Sequence, residues 1–356
     1  MTPRTLVVSD LHIGASDGLS VVERPAALAA LLGAIDGCER LVLLGDLIEL
    51  KDSDPWRSMD VARPILQAIG ARAGADRQIV YLPGNHDRAL IGRWIAAQGA
   101  ALRTETPVPP DAGRTLATVL EWLAPARVEV RYPGVWLSEL IWAHHGHYLN
   151  YYLEPHQGYG LLRRERTGRP RHGAAPAAEG SGPDPRLTPS DFEVMFAHHR
   201  LHVPARTSTP REPVPDPSIV MQRPWHARLH EHILSPRISP VVANMLGRQM
   251  RRHAIPAVVY AAHDLGVRSS YLLFGHVHRR GPIAGDWLQE WRLDETEVLN
   301  TGSWRFEPVL VQRSLPPHPY WPGGAILIDE QGTPRTLGLL DDLTAEQLTV
   351  RHRRRP

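Results

Sequence analysis

The sequence predicts an α/β layered domain interrupted by a mainly helical insert. Three observations lead there. Short apolar runs alternate with helix-patterned segments in the first 90 residues. Each run ends in a polar cluster. A basic, proline-rich stretch then separates the fourth cluster from the fifth. Strands alternating with helices build layered α/β domains, and in open sheets of this kind ligands bind where the strands end.

The elements follow in order. Thr5–Ser9 reads as a strand ending at Asp10. Ala26–Ile35 has a helical pattern. Arg40–Leu44 is a second strand, ending at Gly45-Asp46, and Val61–Ala73 a second helix. Gln78–Leu82 runs into Pro83-Gly84-Asn85-His86-Asp87. Val128–Tyr132 and Trp136–Ala143 read as two strands joined by a Pro133-Gly134 turn. The second of these runs into His144-His145-Gly146-His147. Ser270–Phe274 leads to Gly275-His276-Val277-His278, and Glu297–Leu299 and Ala325–Ile328 finish the core.

Residues 1–153 and 258–345 thus form two parts of one core, with an insert at 154–257 and a basic tail at 346–356. The insert carries fifteen arginines against nine acidic residues, a net +6 that leaves the rest of the chain at −4 within an overall +2. Arg166–Asp191 and Pro204–Pro217 are loop-like in composition. Asp191–His202, Trp225–Leu234 and Pro240–His253 are its helical candidates, with Met195, Phe196 and Leu201 as the packed residues of the first. Its histidines at 198, 199, 202, 226, 230 and 232 have helix-like spacing, but no carboxylate or cysteine pattern makes them a metal site.

Composition narrows the class. The chain has 356 residues, 42% of them hydrophobic and 22% charged, as in an ordinary globular protein. No stretch approaches the roughly 18 apolar residues of a membrane span. The N-terminus lacks a basic-then-apolar leader, so a cytoplasmic protein is expected. Cys38 is the only cysteine, which excludes an internal disulfide framework and a zinc site built on several thiolates. The near-balanced charge does not mark a nucleic-acid binder.

Each polar cluster alone also reads as turn chemistry, because Asp and Asn after a strand favour side-chain-to-backbone bonds. Five in order, each after a β-like run, argue instead for one shared site. Asp10-x-His12, Gly45-Asp46, Gly84-Asn85-His86-Asp87, His145-Gly146-His147 and Gly275-His276-x-His278 together resemble the calcineurin-like metallophosphoesterase superfamily. The resemblance covers residues 5–150 and 258–330, and Leu299–Trp304 is similar to the segment after the last motif in many members.

The resemblance implies a layered β-sandwich flanked by helices. It also implies a dinuclear-metal-dependent phosphoesterase that cleaves a phosphodiester, phosphoanhydride or phosphomonoester by attack of a metal-bridging hydroxide. Two divalent cations about 3.5–4 Å apart can clamp a phosphoryl group. By resemblance, Asp10, His12, Asp46 and His278 hold one ion; Asp46, Asn85, His145 and His276 hold the other. A sulfur-free donor set suits Mn, Fe or Zn. His86 is implied to stabilise or protonate the leaving oxygen. Glu49 is either its carboxylate partner or a solvated strand-end residue, and Asp87 a cap or a partner to a ligand. His144, His145 and His147 compete for one position, and the resemblance selects His145, directly before glycine. Arg88, Arg279 and Arg280 are candidates for phosphate contact or ordinary surface arginines.

For substrate, Ser9-Asp10-Leu11-His12 and Gly45-Asp46-Leu47-Ile48-Glu49 resemble the UDP-diacylglucosamine pyrophosphohydrolase branch, although His86 stands where that branch carries arginine. A phosphate-containing small molecule or lipid-linked substrate is therefore expected. A metal-dependent DNA nuclease shares the opening motif and is the alternative. A catalytically silent binding scaffold would have lost ligands, and none is lost here.

Overall fold

The computed structural model describes residues 2–153, 187–201, 244, 246–311 and 314–349. Eleven strands are described: β1 (Thr5–Val8), β2 (Arg40–Leu44), β3 (Gln78–Leu82), β4 (Glu105–Val108), β5 (Arg127–Ser138), β6 (Ile141–His144), β7 (Tyr271–Phe274), β8 (Arg292–Leu293), β9 (Thr296–Asn300), β10 (Gly324–Ile328) and β11 (Pro334–Gly338). They follow the order β11-β10-β1-β2-β3-β5-β6-β7-β9-β8, with β4 beside β5. β1, β2, β3 and the start of β5 run parallel, as do β6, β7 and β9.

Side-chain alternation sorts this path into layers, because successive strand residues face opposite sides. Leu6 and Val8, Leu41 and Leu43, and Ile79 and Tyr81 share one apolar cluster with helices α1 (Pro25–Asp36) and α2 (Pro55–Ala73). The residues between them, Val7, Val42 and Val80, join a different cluster with Ile141, Ala143, Leu273 and Leu299. The two halves of the path therefore pack against each other. On the far side, Trp142, Leu272, Phe274 and Val298 pack with Ile255, Val258 and Val259. The architecture is helix, sheet, sheet, helix. Strands buried on both faces need near-continuous apolar sequence, which explains runs such as Leu41-Val42-Leu43-Leu44. Each fully buried Val or Leu contributes about 1.5–3 kcal/mol.

Helix boundaries have local causes. Pro25 stands in the first turn of α1. Asp54 caps α2 by accepting from the Trp56 amide at 2.9 Å, so this helix starts at Pro55, before the Val61 expected from apolar periodicity. Gly74, at φ 65°, ends it, and helices α3 (Gly92–Gln98), α4 (Arg114–Trp122) and α5 (Asn150–Leu153) follow.

The Pro133-Gly134 turn expected between two strands is a bend inside the single strand β5. Residues Arg127–Val130 pair with β3 and Val130–Pro133 with β4, whereas Gly134–Ser138 pair with β6. Beyond the bend the strand lies back over β2: Arg40 at the start of β2 donates to the Leu137 carbonyl at 2.9 Å. A Cβ at Gly134 would strike the Trp142 indole, so glycine lets the crossing strand approach. The actual hairpin connection is Glu139-Leu140. This fold-over brings the end of β6 to the ends of β1, β2 and β3.

Within the predicted insert, α6 (Pro189–Leu201) is described, so the helix expected from Asp191 begins at Pro189, and residues 166–186 of the expected loop lie outside the described residues. Helix α7 (Ile255–Asp264) runs across the predicted junction at 257. Trp225–Leu234 and the 204–217 loop lie outside the described residues, as does the basic tail from 350. No helix among the described residues is long and apolar enough to cross a membrane.

Candidate metal centre

Five strand ends meet at one buried point. Asp10 follows β1, Asp46 follows β2, Asn85 and His86 follow β3, His145 follows β6, and His276 follows β7. Backbone bonds tie the loops together. Asp10 N donates to Gly45 O at 3.0 Å, His12 N to Asp46 O at 2.9 Å, and Gly275 N to His145 O at 2.9 Å. The Asp10 carboxylate receives the His276 amide at 3.0 Å, and Asp46 Oδ1 receives the His86 amide at 2.8 Å.

The backbone is strained there. Among the described residues, six non-glycine residues take positive φ, and Asp10, His12, Asp46, His276 and His278 are five of them. Such conformations cost of order 1–3 kcal/mol each and persist where surrounding structure imposes them. Glycines make the crowding tolerable: a Cβ on Gly45 would strike the His145 ring, one on Gly84 the Asp46 carboxylate, and one on Gly275 the Ser9 and Asp10 side chains.

Two groups of donors result. Potential ligand atoms of Asp10, His12 and His278 lie within 4.8 Å of one another, as do those of Asp46, His145 and His276. Asp46 Oδ2 stands between them, 3.1 Å from His145 Nε2 and 3.8 Å from His12 Nε2. His278 Nε2 is 3.2 Å from Asp10 Oδ1 and 3.3 Å from His12 Nε2. Asn85 Oδ1 is 3.2 Å from His145 Nε2.

This donor set suits divalent cations. His145 places Nδ1 2.9 Å from the Leu44 carbonyl, and His12 places Nδ1 2.9 Å from Glu49 Oε2. Each ring thus carries its proton outward and turns Nε2 inward, as outer partners of metal-binding histidines do. The inward atoms are imidazole lone pairs and carboxylate oxygens crowded together in a water-poor space. Acceptors facing acceptors are unfavourable without positive charge among them. From protein groups alone that charge comes from protons. Burial lowers the His145 pKa, but Asp46 outweighs it and the group is pushed up to about 9. Burial raises Asp10, yet its contact with His278 brings it down to about 2. A divalent cation satisfies the same carboxylates and displaces the proton.

His86 lies at the rim of this centre, with Nε2 4.0 Å from Asp46 Oδ2 and Nδ1 2.8 Å from the Glu49 carboxylate. Burial lowers its pKa, but Asp46 and Glu49 overcome that and raise it to about 9. Glu49 is buried rather than solvated and contacts both His86 and His12. Asp87 accepts from Tyr81 Oη at 2.7 Å and from the Leu47 amide at 2.8 Å, fastening the β2 and β3 loops. His144 faces away, stacked on Trp142 with Nδ1 accepting from the Gly146 amide at 2.9 Å.

The three neighbouring arginines pair with carboxylates: Arg88 with Glu193, Arg279 with Asp286, and Arg280 with Asp341. Buried guanidinium groups require such partners, and the pairs turn these side chains to structural work.

Sequence reasoning missed two residues beside the centre. Asn150 places Oδ1 3.1 Å from His276 Nε2. Nothing in the sequence marks it beyond its place four residues after Gly146. Glu193 projects from α6 into the core, where it accepts from Arg88 Nε at 2.9 Å and Tyr148 Oη at 2.8 Å, and also from Tyr132 Oη. Its neighbour Phe192 is the deeply buried residue of this helix, with Met195 partly buried; the side chains of Phe196 and Leu201 lie outside the described residues.

Facing sheets between helices, with two His/Asp clusters at one edge, define a dinuclear-metal phosphoesterase, an enzyme that hydrolyses phosphate esters. The model of the calcineurin-like phosphoesterase family matches residues 3–280, and the chain belongs to that family. No curated protein matches the chain.

Proposed function

We propose that this protein hydrolyses a small-molecule or lipid-linked phosphodiester, phosphoanhydride or phosphomonoester, with His86 as general acid. Asp10, His12, Asp46 and His278 would hold one divalent cation and Asp46, Asn85, His145 and His276 the other, with manganese the first metal to supply. Bound there, the cations supply charge neutralisation for the phosphoryl oxygens and a nucleophile at neutral pH. His86 supports the assignment of the acid. Glu49 accepts from Nδ1 and orients the ring so that Nε2 faces the centre, and Asp46 and Glu49 favour the protonated ring, which has an Nε2 proton to give. A positioned acid speeds departure of an alkoxide or phosphate by typically about 10²–10⁴-fold.

The single observation that carries this reading is the shared position of Asp46 between His12 and His145, with His86 beside the same oxygen. The likeness of the first two motifs to nucleotide–lipid pyrophosphohydrolases supports adding such anhydrides to the substrate panel. A cytoplasmic setting fits the single cysteine.

The test is hydrolysis of bis-p-nitrophenyl phosphate with Mn²⁺ and its loss with EDTA. Phosphomonoesters, cyclic nucleotides, nucleotide-sugar pyrophosphates and DNA are screened alongside. His86→Ala should keep both ions and lose about 10²–10⁴ in turnover. No hydrolysis with any divalent metal would leave a binding scaffold, and preferential digestion of DNA would make the protein a nuclease.

A further inference from the structure

Asn150 opens the short helix α5 (Asn150–Leu153), immediately after the fourth polar cluster. It is buried, and its Oδ1 lies 3.1 Å from Nε2 of His276. His276 is fixed at its backbone as well, since its amide donates to Asp10. An imidazole that binds a metal is neutral and carries one N–H, on the ring nitrogen that does not bind. A carbonyl oxygen accepts that proton at Nε2 and leaves the lone pair on Nδ1.

We propose that Asn150 is a positioning residue for the metal centre: by accepting from Nε2 of His276 it makes Nδ1 the ligand atom and fixes the plane of the ring. His276 thus binds through the opposite nitrogen from His145, whose Nδ1 is committed to the Leu44 carbonyl. The segment that carries Asn150 is itself held from the insert. Tyr148 donates to Glu193 of α6 at 2.8 Å, and the Phe192 ring stacks on Tyr148 at 4.6 Å. The predicted insert therefore reaches the metal centre through Tyr148 and Asn150.

This inference rests on the metal-binding reading of Asp46, His145 and His276, and the test separates the two. Wild-type protein, Asn150→Ala and Asn150→Asp are titrated with Mn²⁺ and Zn²⁺ against a chromogenic chelator. Outer partners of metal-binding histidines typically contribute about 10–100-fold in affinity. Asn150→Ala should bind one ion as wild type does and the second about 10–100-fold more weakly. Asn150→Asp keeps an acceptor oxygen and should hold both ions at least as tightly as wild type. Unchanged affinity in Asn150→Ala, even with lowered thermal stability, would overturn the inference, as would equal losses in both variants.

The His276 tautomer in wild-type protein, read from long-range ¹H–¹⁵N spectra, decides the point even if a variant fails to fold. A proton on Nε2 supports the assignment and one on Nδ1 defeats it. Failure of wild-type protein to bind two ions, with the proton on Nε2, would count against the metal reading alone.

Discussion

Glu49 Oε2 lies 2.9 Å from His12 Nδ1, and the same carboxylate lies 2.8 Å from His86 Nδ1. One side chain thus orients a candidate ligand and the candidate acid. The amides of Asp52 and Lys51 complete its shell at 2.9 and 3.1 Å. With its oxygens occupied in this way, Glu49 acts through the two rings. Glu49→Ala should therefore lower turnover by about 10²–10⁴-fold, as expected for a misplaced acid. It should also weaken binding of one ion by about 10–100-fold. Glu49→Gln keeps one acceptor oxygen and should fall between the two. Turnover and metal stoichiometry, measured on the same preparations, check this; full activity in Glu49→Ala would show that His86 needs no such support.

Gly84 is a steric requirement of the bridging position. A Cβ there would meet the Asp46 carboxylate and approach the Asp46 amide to 2.7 Å. Gly84→Ala should leave far-UV circular dichroism unchanged and abolish high-affinity binding of both ions, because Asp46 is the proposed ligand of both. Retention of two tightly bound ions would mean that the β3 loop can move aside.

The Arg88–Glu193 pair fastens α6 to the core. Removing one member of a buried pair strands the other and costs about 3–5 kcal/mol. Arg88→Met and Glu193→Gln should each lower urea-unfolding stability by that order. Because each variant removes the same contact, the double variant should lose less than the sum of the two. Additive losses would show that the two residues act independently.

His318 provides a pH signature away from the centre. Burial, followed by the charges of Arg279 and Arg280, lowers its pKa to about 4. The Tyr320 amide donates to its Nδ1 at 3.2 Å, which also requires the neutral ring. The unfolded chain, with an ordinary pKa near 6.5, takes up this proton first on acidification. Stability from this residue is thus present above about 6.5, declines as pH falls, and levels off below about 4. Urea midpoints between pH 7 and 4 should slope less in His318→Gln than in wild type. Equal slopes would place the ring in solvent.

Much of the fold was legible in the sequence because its signals are local. β2 and β3 match their apolar runs residue for residue, since strands buried on both faces leave no polar interruption. Strand β4, with half-buried Glu105 and two of its four residues Thr106 and Pro107, carries no such pattern. At the β5 bend, Pro133-Gly134 has turn chemistry in the sequence, whereas Trp142 and β6 decide that the chain crosses between sheets there.

The sequence by itself determined the layered α/β class, the five strand-end clusters and their order, and thereby the residue types available to a pair of cations. Those follow from periodicity and from the chemistry of Asp, Asn and His next to glycine. Only tertiary structure decided that Glu49 faces two imidazoles, that Asn150 meets His276, and that Arg88 turns to Glu193 of α6. It also decided that Asp10, His12, Asp46, His276 and His278 adopt positive φ. Contacts between residues 37 to 126 positions apart, and backbone strain held by neighbouring loops, leave no trace in local propensity. They exist only once the sheets have folded over one another.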